Sequence, residues 1–200
     1  MARARRGLLD GAARGVQGAR RAQAEEAGVS SAADAVTVAL DVAVPPEVAF
    51  DVFTRELDAW WGRGPRFRFV PPHAGTLTLE PGVGGRLVHV PDGHPERAFV
   101  VGHVETWQPP RVLAFTWRLA SFRPGQLTRV EVRFDPAEGG TRVSVTHSGW
   151  DTVPAAHPAR HDLTGRAFVV WKGRWWADLL TAARDHIERS HHAAAGKDTR

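Results

Sequence analysis

The pair His147-Ser148, in "TRVSVTHSGW" (141–150), is the part of the sequence whose residue types most directly suggest chemistry. A histidine beside a serine could act as base and nucleophile in acyl transfer. However, the alternation of Val143, Val145 and His147 indicates a β-strand, in which adjacent side chains point to opposite faces. Ser148 should therefore point away from His147, and no G-x-S-x-G turn is present to expose a serine. We expect His147 to lie on an apolar inner face, either as a hydrogen-bonded core residue or as a ligand contact.

Lys172 is the second candidate, because helical spacing places it within an apolar surface. In "RAFVVWKGRWWADLLTAARDHIERS" (166–190), large apolar residues fill one broad side of a helix, and Lys172 lies between Phe168 and Trp175 on that side. A buried ammonium group must be paired or lose its proton. Two alternatives follow: the side chain extends to solvent, or it faces a cavity and meets an anionic ligand group or an internal carboxylate.

His103 and Arg118 are further polar candidates for a cavity wall. His103 has the same strand parity as Phe99 and Val101, so we expect it to point inward. Arg118 is a weaker candidate because its parity is opposite to that of Trp117.

The aromatic residues form an apolar set of eight tryptophans and nine phenylalanines, with no tyrosine. Such rings fill cores, and they also form flat walls of ligand pockets. Trp60 and Trp61 precede the Gly/Pro-rich segment 62–75, so we predict a cavity mouth at the tryptophans and a lid in that segment. The predicted ligand-binding residues are Trp60, Trp61, His103, Trp117, His147, Trp150, Trp171, Lys172 and Trp175.

Motifs for metal, cofactor or catalysis are weak or missing in the sequence. There is no cysteine, and Pro158 interrupts the helical spacing of His157 and His161, so we predict no metal site. "PGVGGR" (81–86) lacks the G-x-G-x-x-G spacing of a dinucleotide loop, and no P-loop occurs. No pair of carboxylates is recognisable as a general acid and base. We therefore predict no cofactor and no catalytic residue.

Composition predicts one domain with two polar ends. Residues 1–34 are rich in Ala, Arg and Gly, which predicts a disordered or weakly helical basic tail, and 191–200 should be a second disordered tail. Basic and acidic residues balance within 34–190, at 18 each, although the whole chain carries a net charge of +4. A neutral domain argues against nucleic acid as a partner. No apolar run is long enough to span a membrane, and no signal peptide is recognisable, so we expect a cytoplasmic protein of undetermined oligomeric state.

The elements that must position these residues follow from periodicity. "AVTVALDVAV" indicates a strand, "PEVAFDVFTRELDAWW" a helix opened by proline, and a run of short strands follows from 76 to 148. Their short, turn-rich connections indicate an antiparallel sheet. One long amphipathic helix after such a sheet indicates an α+β fold with space for a ligand between the two layers.

Several ordered segments resemble the START-like (SRPBCC) superfamily. They are "PPEVAFDVFTRELDAWW", "LEPGVGGRLVHVPDG", "GHVETWQPPRVLAFTW" and "TRVEVRFDPAEGGTRVSVTHSGW", followed by the tryptophan-bearing helix. Within that superfamily the sequence is similar, over about 36–189, to the homologues of the activator of heat-shock protein 90 ATPase. The resemblance implies a helix-grip fold, in which a curved antiparallel sheet wraps around a long C-terminal helix and encloses an apolar cavity.

Three functions remain open at this stage. The leading hypothesis is a non-catalytic START-like domain that binds a small hydrophobic molecule between sheet and helix. The resemblance also implies two alternatives, because the superfamily includes polyketide cyclase/aromatase enzymes and the family includes proteins that act on a chaperone. A cyclase would use His147, His103, Arg118 or Lys172 to polarise a carbonyl or to move protons.

Overall fold

The computed structural model describes residues 35–62, 65–67, 69 and 74–195. The predicted N-terminal tail, 1–34, lies outside the described residues, as do parts of the predicted lid segment and residues 196–200.

The described residues form an antiparallel sheet in which every strand but the first pairs with its neighbour along the chain. Its strands are β1 (Val36–Val42), β2 (Gly75–Leu79), β3 (Arg86–Pro91), β4 (Phe99–Gln108), β5 (Val112–Trp117), β6 (Thr128–Ala137) and β7 (Gly140–Ser148). Their spatial order is β1-β7-β6-β5-β4-β3-β2, so the N-terminal strand returns to pair with the last one. Register places Val36 opposite His147 and Val38 opposite Val145. Connections of two to ten residues join the consecutive strands from β2 to β7, and this antiparallel succession is the one that the sequence predicted.

Alternation is strict in β7, where Val143, Val145 and His147 are buried and the intervening residues are not. Gly139 has a φ of 76° in the turn between β6 and β7, a conformation that glycine adopts without steric cost. The inner face of this hairpin therefore follows directly from the sequence pattern.

Three α-helices occur in the described residues: α1 (Pro46–Arg55), α2 (Leu57–Trp60) and α3 (Gly165–Ala195). α1 begins with a proline at its first turn, whose missing N–H costs nothing there. α3 continues to Ala195, so the prediction of a disordered tail from residue 191 is wrong for its first five residues. The favourable helix propensity of the alanines at 193–195 explains the extension.

The core lies between the inner face of the curled sheet and the apolar side of α3. It contains Phe134, Val145, Trp176, Leu179 and Ile187, each of which is almost fully buried. The predicted α+β helix-grip fold is confirmed. None of the helices in the described part of the chain is both long and apolar enough to cross a membrane.

Candidate ligand-binding site

Side chains fill the middle of the sheet–helix interface. The space left there, lined by residues such as Phe53, Trp60, Leu113 and Trp176, measures only about 10 Å³. Trp60 is held in this core, because its Nε1–H donates to the Phe53 carbonyl at 3.1 Å. Trp61 is buried beside it, against Trp60 and Trp117. Neither Trp60 nor Trp61 lines the larger cleft described next.

A larger cleft opens at one end of the same interface, between β5 and the first turns of α3. Its volume is about 370 Å³, within the range of small-molecule sites. The lining residues come from the segment before β2, from β5 and the residues after it, from two short turns after β7, and from α3. They are Arg66, Phe67, Phe69, Trp117, Leu119, Ala120, Ser121, Trp150, Pro158, Ala159, His161, Trp171, Lys172 and Trp175.

Five of the predicted residues line this cleft: Trp117, Trp150, Trp171, Lys172 and Trp175. α3 brings the last three together because positions 171, 172 and 175 lie within one turn on the same side of the helix. Three of the described residues of the predicted lid, Arg66, Phe67 and Phe69, also line the cleft. The Arg66 carbonyl accepts a hydrogen bond from Trp175 Nε1 at 2.9 Å, which ties this segment to α3.

Lys172 is a buried base in an aromatic environment. Its side chain is 6% exposed, and Nζ lies 3.8 Å from the ring centroid of Trp175, 5.0 Å from Trp150 and 6.0 Å from Trp171. Within the described part of the chain, no acceptor or carboxylate pairs with it. Burial lowers the pKa of Lys172 from 10.5 to about 7. The alternative in which the amine reaches bulk solvent is therefore wrong, because the neighbouring indoles cover it.

His147 is fully buried but does not line the cleft. Its Nδ1 lies 3.1 Å from Trp176 Nε1, which can only donate, so Nδ1 accepts that hydrogen bond. Its Nε2 lies 2.8 Å from Thr128 Oγ1, and the Thr128 hydroxyl donates to the Trp117 carbonyl at 3.1 Å. These contacts place the proton on Nε2 and satisfy both ring nitrogens of a neutral imidazole. Burial, and then the nearby charge of Lys172, hold the pKa of His147 well below 6.5.

The prediction that His103 faces the cavity is wrong. Leu87 pairs with Gly102 and Val88 with Val100, so Val101 is an extra residue that interrupts the alternation of β4. After this bulge Val104 points inward and His103 is exposed. Arg118, as its parity predicted, is also exposed, with its guanidinium over the Phe99 ring.

Two cleft tryptophans carry buried donors that lack an acceptor. Trp117 Nε1 and Trp150 Nε1 have no hydrogen-bond partner in the described structure, although both side chains are 1% exposed. A buried N–H without an acceptor costs about 1–3 kcal/mol. Both rings also pack against His147, at centroid distances of 5.6 and 4.7 Å, so these unsatisfied donors lie where the cleft wall meets the core.

Sequence reasoning missed His161 as a cleft residue. It adopts a left-handed conformation, with a φ of 52°, at the end of a short turn before α3. Its ring centroid lies 4.1 Å from that of Trp171. Burial, followed by the charge of Lys172, lowers its pKa. The sequence shows that His161 lies eleven residues before Lys172, but this spacing does not predict a contact because His161 lies in a turn outside α3.

A second apolar cleft of about 400 Å³ lies elsewhere, near Glu47, Phe50, Trp107 and Pro110. It contains none of the predicted ligand-binding residues. Among the described residues, no three His, Asp or Glu side chains are grouped closely enough to hold a metal ion.

Comparison with known proteins gives a family and a fold. Residues 43–167 match the family described as "Activator of Hsp90 ATPase homolog 1-like protein". A Mesorhizobium loti protein has a TM-score of 0.54 at 20% identity, over 78% of this chain and 97% of its own. An HSP90 activator from Plasmodium falciparum has a TM-score of 0.51 at 19% identity, over 74% of this chain and 91% of its own.

The solution structure of the Aha1 dimer from Colwellia psychrerythraea gives a TM-score of 0.52 at 18% identity, over 77% of this chain and 96% of that chain. No curated protein matches the sequence significantly. At these identities the likeness to solved structures shows the fold alone.

Proposed function

The chain belongs to the family of Activator of Hsp90 ATPase homolog 1-like proteins, and we propose that it binds a small apolar molecule in the cleft between β5 and α3. The observation that carries this proposal is the aromatic lining of a cleft of about 370 Å³ beside an otherwise filled interface. Trp171 and Trp175 supply flat apolar surface from α3, Trp117 supplies it from the end of β5, and Phe67 supplies it from the segment before β2. The proposed role is binding rather than catalysis.

Burial of apolar surface supplies the driving force. A flat ligand that loses about 250 Å² of apolar surface to the cleft gains about 6 kcal/mol at about 25 cal/mol per Å². Part of that gain offsets the entropy lost on association. Dissociation constants in the micromolar to millimolar range are therefore expected for unoptimised ligands.

A fluorescence titration with N-phenyl-1-naphthylamine tests the proposal, because this neutral dye brightens when it leaves water. Ala120 is exposed at the cleft, so Ala120→Trp should obstruct it and weaken dye binding at least tenfold. Ala156 is also exposed but does not line the cleft, so Ala156→Trp should bind the dye like the wild type.

The second apolar cleft supplies a further control. Glu47 is exposed at its edge, so Glu47→Trp should obstruct that cleft alone. Dye binding that survives Ala120→Trp and disappears in Glu47→Trp would contradict the proposed location.

The cyclase alternative has less support at the positions that it requires. His147 uses both ring nitrogens in the core, and His103 and Arg118 are exposed away from the cleft. Lys172 is the one member of that set at the cleft wall.

A second candidate function is contact with a chaperone, and the family description is the observation that favours it. The similar Plasmodium protein is itself described as an HSP90 activator. If this role applies, the purified chain should stimulate ATP hydrolysis by the Hsp90 of its own organism. An unchanged rate at saturating concentrations of the chain would contradict it.

A further inference from the structure

Lys172 is a buried donor at the cleft wall that lacks an acceptor. Its side chain is 6% exposed, and no acceptor pairs with Nζ among the described residues. An ammonium group only donates hydrogen bonds. A ligand that satisfied Lys172 would have to bring an oxygen acceptor of its own.

The charge of the lining has the same sign throughout. It includes Arg66 and Lys172 and contains neither aspartate nor glutamate among its described residues. Arg66 pairs with Asp178 at 3.0 Å, outside the cleft lining, whereas Lys172 has no such partner in this part of the structure. The nearby histidines add no negative charge either, because an imidazole is neutral or cationic; burial, followed by the charge of Lys172, lowers the pKa of His147 and of His161.

Aromatic faces around Lys172 favour its ammonium form but do not neutralise it. Trp150 and Trp175 lie within 5.0 Å of Nζ, which is typical of cation–π contact. A carboxylate that entered the cleft would add direct charge pairing in a poorly solvated site, where such pairing is strong. It would also hold Lys172 protonated at pH values at which the empty cleft releases the proton.

From these contacts we infer that the cleft selects small organic acids: the apolar body lies between the aromatic walls, and the carboxylate lies at Lys172. The inference rests on the proposed function and narrows it to one chemical class. It assigns Lys172 the role of a ligand-binding residue, with no covalent step.

Two probes that differ only at the head group test this selection. Isothermal titration at pH 6.5 should show 2-naphthoate binding at least tenfold more tightly than 2-naphthamide, which has the same ring system without the charge. Lys172→Met should abolish this preference and leave 2-naphthamide binding within about twofold of the wild type. Lys172→Arg should keep a preference for the acid, because the charge remains.

The second lysine of the chain provides a matched control. Lys172 and Lys197 are the only lysines in the sequence, so Lys197→Met should keep the tenfold preference. Retained 2-naphthamide binding also shows that each variant is folded and that its cleft is intact.

The outcomes separate the two proposals. If both probes bind the wild type equally, or if Lys172→Met keeps the preference, the acid selectivity is refuted while apolar binding stands. If neither probe binds at millimolar concentration, the proposed function is refuted together with the inference.

Discussion

Replacing Lys172 with methionine should stabilise the protein at and below neutral pH, by an amount that disappears as the pH rises. Burial lowers the pKa of Lys172 from 10.5 to about 7. At about 1.36 kcal/mol per pKa unit, the folded state disfavours the charged amine by about 5 kcal/mol. By linkage this shift sets the whole change in wild-type stability across the titration window, so we expect Lys172→Met to gain about 5 kcal/mol below pH 7, or a Tm higher by about 10–20 °C.

The sign of the pH dependence follows from proton binding. Between pH 7 and 10.5 the unfolded chain keeps the proton on Lys172 while the folded chain releases it. The unfolded state then binds more protons, so wild-type stability rises with pH across this window. Lys172→Met lacks this term, and its advantage over the wild type should be full below pH 7 and close to zero near pH 10.5.

The composition allows the titration of Lys172 to be measured with little interference from other groups. The chain has no cysteine or tyrosine, and Lys197 is its only other lysine. Few groups besides Lys172 therefore titrate above pH 8. Urea unfolding of the wild type, Lys172→Met and Lys197→Met at intervals from pH 6 to 10.5 gives the difference directly. A methionine variant less stable than the wild type at pH 6.5, or a difference that stays constant with pH, would refute the reasoning.

Three further predictions concern the core, a turn and the cleft. Thr128→Val removes the acceptor of the His147 Nε2–H, so chemical denaturation should show a loss of about 1–3 kcal/mol. Gly149 has a φ of 83° and its added Cβ would lie 3.2 Å from a backbone oxygen, so Gly149→Ala should cost about 1–3 kcal/mol. Gly93→Ala, at a φ of 72° in open space, should cost less, and equal losses would contradict the steric argument. Affinity for 2-naphthoate should fall as the pH rises from 7 to 9, by up to about tenfold per pH unit, because binding then requires proton uptake by Lys172. The same titration with 2-naphthamide should be flat, and a parallel fall for both probes would count against the role of Lys172.

Strand parity predicted the sheet well wherever the alternation is regular. The inward position of His147 and the outward position of Arg118 both follow from it. The order of the strand and turn segments also predicted the family and its fold, because short turns between successive strands imply that these strands are neighbours in the sheet.

His103 was predicted wrongly because a β-bulge leaves no periodic trace. Val101 and Gly102 are both buried, and an added Cβ at Gly102 would collide with the Thr116 carbonyl of the neighbouring strand. Gly102 was the only local hint, since glycine in a strand often marks a bulge or a close backbone approach.

The position of the cleft was beyond sequence reasoning for a different reason. Whether space remains between sheet and helix depends on how individual side chains fill it, and Trp60 and Trp61 fill the centre rather than a cavity mouth. His161 reaches the cleft through a left-handed turn that its neighbours in sequence do not encode. Periodicity did place Lys172 among the aromatic residues of α3, which positions it at the cleft wall.

The indole N–H signals of the tryptophans test the central claim, binding in the cleft between β5 and α3, most directly. Each of the eight tryptophans contributes one such signal to a ¹H–¹⁵N spectrum. During titration with 2-naphthoate, the signals of Trp117, Trp150, Trp171 and Trp175 should shift, because these residues line the cleft. Trp107, which lines the second cleft, should stay unchanged. A shift at Trp107 without shifts at the four cleft tryptophans would contradict the account.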